Sequence, residues 1–286
     1  GHLCGWCAVA SIAGLVTAFL GEHVDAAPQL LLLSATAAAL ALGTCLRSDV
    51  LRPRWLPPAL VPHPVVTTLV GAHAGCAAVA ALTSRGYWAA LRSFLSDGRA
   101  GGASPRGAGD LLMAFLGPVV LSFAFHIYGQ RALLRRHAAE IFSCAAGASL
   151  FSLVTTALAG RLLGLPPPIT LAVTPRAVTV ALALPIATQL GAPAAILPIC
   201  AAAVVLTGLV GSSTAQWLLT STRINDPITR GLATASAAHG LGTAALAASE
   251  PQALPFCALA YGLIGVAASL WAASPLREIL VAIATS

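Results

Sequence analysis

Long apolar runs separated by short polar segments make up most of the chain. A helix of about 20 apolar residues is long enough to cross a lipid bilayer, and runs of that length recur along the whole sequence. By that criterion the chain has about nine runs of membrane-spanning length: 3–21, 28–46, 64–83, 110–128, 139–164, 168–190, 193–220, 227–249 and 254–274. This pattern predicts an all-α, polytopic membrane protein.

The composition narrows the class of protein further. Hydrophobic residues fill 58% of the 286 positions and charged residues 8%, whereas soluble domains carry about 25% charged residues. All 15 basic residues are arginine, scattered through the chain, and they do not form the basic and aromatic clusters that bind nucleic acid. We therefore expect a lipid bilayer around the protein and no nucleic-acid partner.

One polar connection, 84–106, is longer than the others. Its sequence is rich in glycine and arginine and predicts a short surface helix around Tyr87–Leu95, followed by an interfacial loop. We expect this connection to complete an N-terminal membrane part, 1–106, before a core part, 107–286. The chain starts at Gly1 without a methionine or a signal pattern, which favours a processed form or a piece of a longer protein.

The arginines of the connections do not predict an orientation in the membrane. If the nine runs are simple crossings, these arginines are distributed almost evenly between the two sides. An even distribution is compatible with an inverted-repeat architecture.

The run 168–190 is interrupted near its centre. Pro175 has no backbone N–H and clashes with a preceding helical turn, while Thr174 is a favoured N-cap and proline a favoured first helical residue. A new half-helix is therefore predicted to start at Thr174-Pro175. Its length to Leu190 is about 24 Å, so its start is expected within the depth of the membrane.

Arg176 follows in the first turn of that predicted half-helix, with Thr179 on the same face. A helix N-terminus already carries partial positive charge, so a cation there is unfavourable unless an anion is bound. A charge inside the bilayer also marks a functional site by default. We interpret Arg176 as an anion site. The alternatives are an arginine at the membrane edge or one paired with a buried carboxylate, and a Thr179 that only bonds back to its own helix.

A second break, Ser236-Ala-Ala-His239-Gly240-Leu-Gly242-Thr243, lies midway through another apolar run. Two glycines weaken a helix there, and irregular backbone at membrane depth is tolerated only where it is buried in protein or lines a cavity. Thr243 is a candidate cap for the following half-helix. We interpret His239 as a ligand-binding side chain that can take up a proton near neutral pH; the alternative is a satisfied packing histidine.

Further small-residue motifs have simpler interpretations. Gly117-Pro118 predicts a packing kink, or alternatively a hinge or part of the cavity. The segments Thr207–Gly211 and Tyr261–Gly265 share an xGLxG pattern, which is typical of close helix packing in lipid.

Interrupted helices that present a half-helix N-terminus to an anion at mid-membrane are typical of secondary transporters. The apolar runs and their breaks therefore predict a carrier for a small carboxylate or a similar anion. Its architecture is expected to be all-α with discontinuous helices.

Several ordered strings resemble the LrgB/CidB membrane-protein family, among them TPRAVTVALALPIA and DPITRGLATASAAHGLGTAAL. The resemblance is dense from about Gly107 to Pro275 and includes in particular the plastid members of plants and green algae. It implies a multi-pass transporter of the chloroplast inner envelope that moves glycolate and glycerate in photorespiration, by antiport or proton symport. Plastid members resemble a fusion of an LrgA-like and an LrgB-like half, so a missing LrgA-like half is an expected partner. Small-residue helix faces are compatible with a homodimer.

The expected roles follow from the breaks, since the family supplies no established set of site residues. The expected substrate-binding residues are Arg176, Thr174, Thr179, Ser236, His239, Gly240 and Thr243. The expected broken-helix or hinge positions are Pro175, Gly242, Gly117 and Pro118. We expect no cofactor, no metal and no enzymatic activity. The alternative function is a holin-like regulatory or pore-forming membrane module, as described for bacterial relatives.

Overall fold

The computed structural model describes residues 26–47, 63–94 and 107–285. The predicted run 3–21 and the loop segment 95–106 lie outside the described residues. Within the described parts, all regular secondary structure is helical. Six helical stretches there are long and apolar enough to cross a membrane: Ala27–Leu46, Pro64–Leu82, Ala108–Gly129, Ala138–Leu162, Ala194–Ser221 and Leu254–Ala273. The prediction of an all-α, polytopic membrane protein is confirmed.

The chain divides into two compact units, Gly1–Leu116 and Gly117–Ser286. The helices described in the first unit are α1 (Ala26–Arg47), α2 (Pro64–Leu82), α3 (Tyr87–Phe94) and α4 (Ala108–Ala114). Helices α1 and α2 pack closely, since a Cβ atom on Gly71 would lie 2.1 Å from the Cβ of Ala39. The short helix predicted around Tyr87–Leu95 is present as α3.

The second unit contains the interrupted helices. Its elements are α5 (Leu116–Gly129), α6 (Arg131–Arg136), α7 (Ala138–Leu162), α8 (Pro167–Val173), α9 (Val180–Leu190), a 3₁₀ turn (Ala194–Ile196), α10 (Leu197–Ser221), α11 (Pro227–Ser249), α12 (Leu254–Ala273) and α13 (Leu276–Thr285). The short helix α13 had not been predicted, because its ten residues are too few for a membrane-spanning run.

Helices α7 and α12 pack side by side and run parallel. At their starts, the rings of His137 and Phe256 lie 5.4 Å apart in an edge-on contact. Farther along, the indole N–H of Trp271 donates to the hydroxyl of Ser149 at 3.1 Å. We call the end at which α7 and α12 begin face 1, and the end at which they finish face 2.

Helix α11 folds back on itself as a hairpin. Arg230 and Glu250 are 20 residues apart, a separation of about 30 Å along a straight helix. Nevertheless, Nε of Arg230 donates to a carboxylate oxygen of Glu250 at 2.6 Å. The chain reverses at His239, where φ is 40° and ψ is −133°. Since α12 begins shortly after Glu250, both ends of the α11 hairpin lie at face 1.

Helices α8 and α9 form a second hairpin, which enters from face 2. A short connection joins the end of α7 to α8, so α8 starts at face 2. Helix α9 starts beside the middle of α12, where Leu182 packs against Gly265. It ends at face 2 again, where Nε of Arg277 donates to the carbonyl of Gln189 at 2.7 Å.

These hairpins correct the expectation that 168–190 and 227–249 each cross the membrane. Both runs have the length of a span, and both contain the predicted interruption. In each case the chain turns back at the break. The ends of the α11 hairpin are joined by Arg230 and Glu250, whereas those of the α8–α9 hairpin are placed at face 2 by contacts with α7 and α13. Helix α10 starts at face 2 after the first hairpin and ends at face 1 before the second.

The third predicted break lies slightly earlier than expected. Helix α4 ends at Ala114 and α5 begins at Leu116, so the interruption falls at Phe115 and not at Gly117-Pro118. Pro118 occupies the first turn of α5, where a missing backbone N–H costs no hydrogen bond.

Candidate functional site

The tips of the two hairpins contact one turn of α10. In the α8–α9 hairpin, Nη1 of Arg176 donates to the hydroxyl of Thr207 at 3.5 Å. In the α11 hairpin, Nε2 of His239 lies 3.0 Å from the carbonyl oxygen of Val204, and it must donate because a carbonyl only accepts. Val204 and Thr207 are three residues apart and share a helix face. The tips of two hairpins that enter from opposite faces therefore meet at one turn of α10 in this unit.

An open cavity of about 760 Å³ lies beside Arg176, bordered by α7, α10 and the first arm of α11. Its outer edge is formed by exposed apolar side chains such as Phe151 and Val210. Its polar lining consists of one arginine and five hydroxyl side chains: Arg176, Ser152, Thr155, Thr207, Thr214 and Ser236. Among the described residues, no acidic side chain lines it. The guanidinium provides charge and directional hydrogen bonds for a small carboxylate, and the hydroxyls add further polar groups beside it.

Arg176 and Arg230 differ in how their charges are compensated. Arg230 is buried and paired with Glu250. Arg176 is half-buried, and its one side-chain hydrogen bond within the described parts of the chain goes to Thr207. A cation that is partly removed from water without a paired carboxylate favours the binding of an anion.

The second half-helix starts later than predicted. Thr174 ends α8: its backbone N–H and its hydroxyl both donate to the carbonyl of Thr170, at 3.0 and 2.7 Å. Pro175 and Arg176 therefore lie in a turn between the half-helices, and α9 begins only at Val180. The local preference for a cap at Thr174 fails because its side chain already bonds backward. Arg176 thus follows a helix C-terminus, whose partial negative charge is compatible with a cation.

Thr179 is the N-cap of α9. Its backbone is extended, with φ −65° and ψ 148°, and its carbonyl accepts from the N–H groups of Leu182 and Ala183 at 2.9 Å each. Its hydroxyl forms no hydrogen bond to a described residue. The entrance of α9 therefore keeps a hydroxyl that is available to another group.

His239 is buried at the tip of α11, against two glycines of α10. A Cβ atom on Gly208 would lie 2.4 Å from Nε2 of His239, and one on Gly211 would lie 2.2 Å from the carbonyl oxygen of Ala237. The close packing predicted for the Thr207–Gly211 segment is therefore present, and it creates the notch that receives the hairpin tip. The imidazole itself points to α10 and is not part of the cavity lining.

The remaining expected site residues of α11 are divided between the cavity and the hairpin. Ser236 lines the cavity, and its hydroxyl donates to the carbonyl of Leu232 at 2.9 Å. The hydroxyl of Thr243 donates to the carbonyl of Gly240 at 2.6 Å and so bonds within the return arm. Gly242 allows the two arms to approach, since a Cβ atom there would lie 2.7 Å from Cγ2 of Thr234.

The structure therefore brings Arg176 and Ser236 to one cavity, and Gly117 and Pro118 lie exposed outside its lining. Sequence reasoning missed the cavity hydroxyls that α7 and α10 contribute: Ser152, Thr155, Thr207 and Thr214. Their signal in the sequence is a hydroxyl inside an apolar run. That signal is weak, because such hydroxyls commonly bond back to their own helix.

Comparison with known proteins identifies the family of this chain. The profile of the LrgB-like family matches residues 104–277. The chain belongs to the LrgB-like family. The resemblance noted from the sequence is thereby confirmed, and the match contains both hairpins and the whole cavity lining.

Three relatives illustrate the range of this family. Plastidal glycolate/glycerate translocator 1, chloroplastic, of Arabidopsis thaliana is 47% identical over 77% of this chain and 42% of its own length. The uncharacterized protein YwbG of Bacillus subtilis is 31% identical over 47% of this chain and 59% of its own. The antiholin-like protein LrgB of Bacillus mycoides is 30% identical over 48% and 58%. The chain thus spans about half the length of these relatives. No solved structure matches it.

Proposed function

We propose that this chain is the LrgB-like part of a secondary transporter for small 2-hydroxy monocarboxylates such as glycolate and glycerate, and that it is not an enzyme. The observation that carries the proposal is Arg176, a cation without a described acidic partner, in a hydroxyl-lined cavity at the tip of a re-entrant hairpin. The similarity to a protein named a glycolate/glycerate translocator supports the substrate class.

In this proposal Arg176 binds the carboxylate and Ser236 lies on the surrounding surface. Thr179, which does not line the cavity, is proposed to offer its hydroxyl from the start of α9. Thr174, His239, Gly240 and Thr243 maintain the shapes of the two tips, as their bonds to nearby backbone suggest. Pro175 and Gly242 keep the breaks open. Gly117 and Pro118 are proposed as hinge positions in the first turn of α5. The segments 1–106 and 107–286 are proposed as the N-terminal and the transport part of the domain.

Two hairpins that enter from opposite faces suggest an alternating-access mechanism. Each hairpin covers the site from one face, so that withdrawal of one tip at a time exposes the bound anion to one side only. Exchange of glycolate for glycerate requires no coupling ion and no titrating group, because the loaded carrier moves in both directions. Proton symport would need a titrating group, for which His239 at the second tip is the candidate.

The location and partners follow from the same kinship. We propose the chloroplast inner envelope as the membrane, since the plant relative is named chloroplastic. An LrgA-like half is the proposed partner, because the chain spans 42% of that relative. A homodimer is a second proposed assembly.

The test is uptake of labelled glycolate by liposomes that contain the purified chain, alone and together with an LrgA-like half, and that are preloaded with glycerate. We expect saturable uptake that internal glycerate stimulates, and its loss in Arg176→Gln. Arg161→Gln is the matched control, because Arg161 is exposed at the end of α7. Unsaturable leakage of unrelated solutes would instead favour a pore, and full activity of Arg176→Gln would refute the assigned anion site.

A further inference from the structure

The five hydroxyls of the cavity fall into two groups. Three of them donate to a carbonyl of their own helix: Thr155 to Phe151 at 2.6 Å, Thr214 to Val210 at 2.8 Å, and Ser236 to Leu232 at 2.9 Å. A hydroxyl has a single hydrogen to donate. These three therefore offer a ligand only their lone pairs.

Ser152 and Thr207 keep their hydrogens. Neither hydroxyl donates to any residue in the described parts of the chain, and both line the cavity. Thr207 also accepts the hydrogen bond from Arg176. The cavity therefore contains one guanidinium and two available hydroxyl donors, one on α7 and one on α10.

The position of Thr207 determines which part of a ligand it can reach. The oxygens of a carboxylate bound by a guanidinium lie about 2.8 Å from its nitrogens. The next carbon of the ligand, with its substituent, is bonded directly to that carboxylate. A group on that adjacent carbon can therefore come within reach of Thr207, whose oxygen is 3.5 Å from Nη1 of Arg176. An O–H donor at this place has an oxygen acceptor if the ligand carries a 2-hydroxyl group, and none if it carries hydrogen.

We propose that Thr207 and Ser152 recognise the 2-hydroxyl group and are the residues that select hydroxy acids over simple carboxylates. The inference rests on the proposed transport function and adds to it the specificity residues. Arg176 supplies the affinity for any small carboxylate, whereas the two hydroxyls supply the discrimination. A site built to bond a substrate hydroxyl rejects an analogue without it, because a polar group of the site then loses its partner.

The test measures glycolate uptake into liposomes and its inhibition by acetate, the analogue that lacks only the hydroxyl. We expect Thr207→Val and Ser152→Ala each to raise the KM for glycolate about five- to tenfold. The inhibition constant of acetate should stay unchanged, since the carboxylate contact is intact. Thr207→Ser, which keeps the hydroxyl, should have the wild-type ratio of the KM for glycolate to the inhibition constant of acetate.

Ser213→Ala is the matched control, because its hydroxyl donates to the carbonyl of Leu209 at 2.8 Å on the exposed side of α10 and does not line the cavity. It should leave the ratio of the two constants unchanged. Normal discrimination in both Thr207→Val and Ser152→Ala overturns the inference while the transport function stands. Absence of saturable glycolate uptake in the wild-type protein overturns both. If Thr207→Val does not fold, Ser152→Ala and Thr207→Ser decide between these outcomes.

Discussion

Arg230 and Glu250 join the two ends of the α11 hairpin through two parallel hydrogen bonds, although 20 residues separate them. The guanidinium also donates to the carbonyl of Ile224 at 2.7 Å and to the hydroxyl of Thr220 at 3.2 Å. The base of the hairpin is thereby attached to the end of α10. The base and the tip of the hairpin therefore both contact α10.

The first prediction concerns the stability of this base. Glu250→Gln removes the charge that pairs with buried Arg230 and should lower the free energy of unfolding by about 1–2 kcal/mol. The value is modest because the Glu250 side chain is 22% exposed. The measurement is thermal unfolding in detergent with a thiol-reactive dye, which reports exposure of the fully buried Cys200 and Cys257.

The matched control for that substitution is Glu140→Gln. Glu140 is 54% exposed and lies 3.8 Å from His137 in a helix-surface pair, and such pairs contribute little. Its melting temperature should stay close to wild type. Equal shifts for Glu250→Gln and Glu140→Gln would contradict a special role for the hairpin base.

The second prediction is the pH dependence of the same pair. Hydrogen bonds from Arg230 lower the pKa of the Glu250 carboxyl, against a smaller opposing effect of burial. The folded state therefore binds this proton less readily than the unfolded state, whose pKa is about 4.3. The stabilisation is fully present above that pKa and is lost as the pH falls through the lower folded-state value.

Wild type should accordingly exceed Glu250→Gln in stability by a constant amount from pH 7 to about pH 5. The difference should shrink below about pH 4. Asp226, whose pKa is also lowered by its hydrogen bonds with Thr229, titrates in both proteins and cancels in the comparison. A difference that persists unchanged to pH 3 would show that the carboxylate charge is not what stabilises the base.

The sequence predicted the helices and their interruptions but not the reversals. A run such as 227–249 is long and apolar whether it crosses the bilayer or returns, so its length carries no information about direction. What turns it back is a pair of residues far apart in the chain, Arg230 and Glu250. Local signals cannot report such a contact.

The residues of the candidate site were likewise only partly predictable from the sequence. Arg176 was predictable, because a lone charge in an apolar run is conspicuous. The hydroxyls of Ser152 and Thr207 were not, because their neighbours in the cavity come from other helices. The cap at Thr174 was predicted from local preference and was wrong, since its hydroxyl bonds back to Thr170.

The third prediction tests the glycine notch on α10. Gly208→Ala places a methyl carbon 2.4 Å from Nε2 of His239, far below a normal contact distance, so the tip of α11 must withdraw. We expect loss of transport and a lower melting temperature. Gly147→Ala on α7 is the control, because a Cβ atom there meets nothing within 4 Å and alanine is the better helix former by about 1 kcal/mol. It should be neutral or stabilising, and a similar loss in both variants would mean that glycine content, not the notch, matters.

The last prediction separates the backbone of His239 from its imidazole. A residue with a side chain is strained at φ 40° and ψ −133°, whereas glycine adopts such angles readily. His239→Ala and His239→Gly both lose the hydrogen bond to Val204, but only alanine keeps the strain. We therefore expect His239→Gly to be more stable than His239→Ala by about 1 kcal/mol, measured by thermal unfolding. At an ordinary helical position the order is reversed, because glycine is the poorer helix former. A more stable alanine variant would thus show that α11 does not turn at His239.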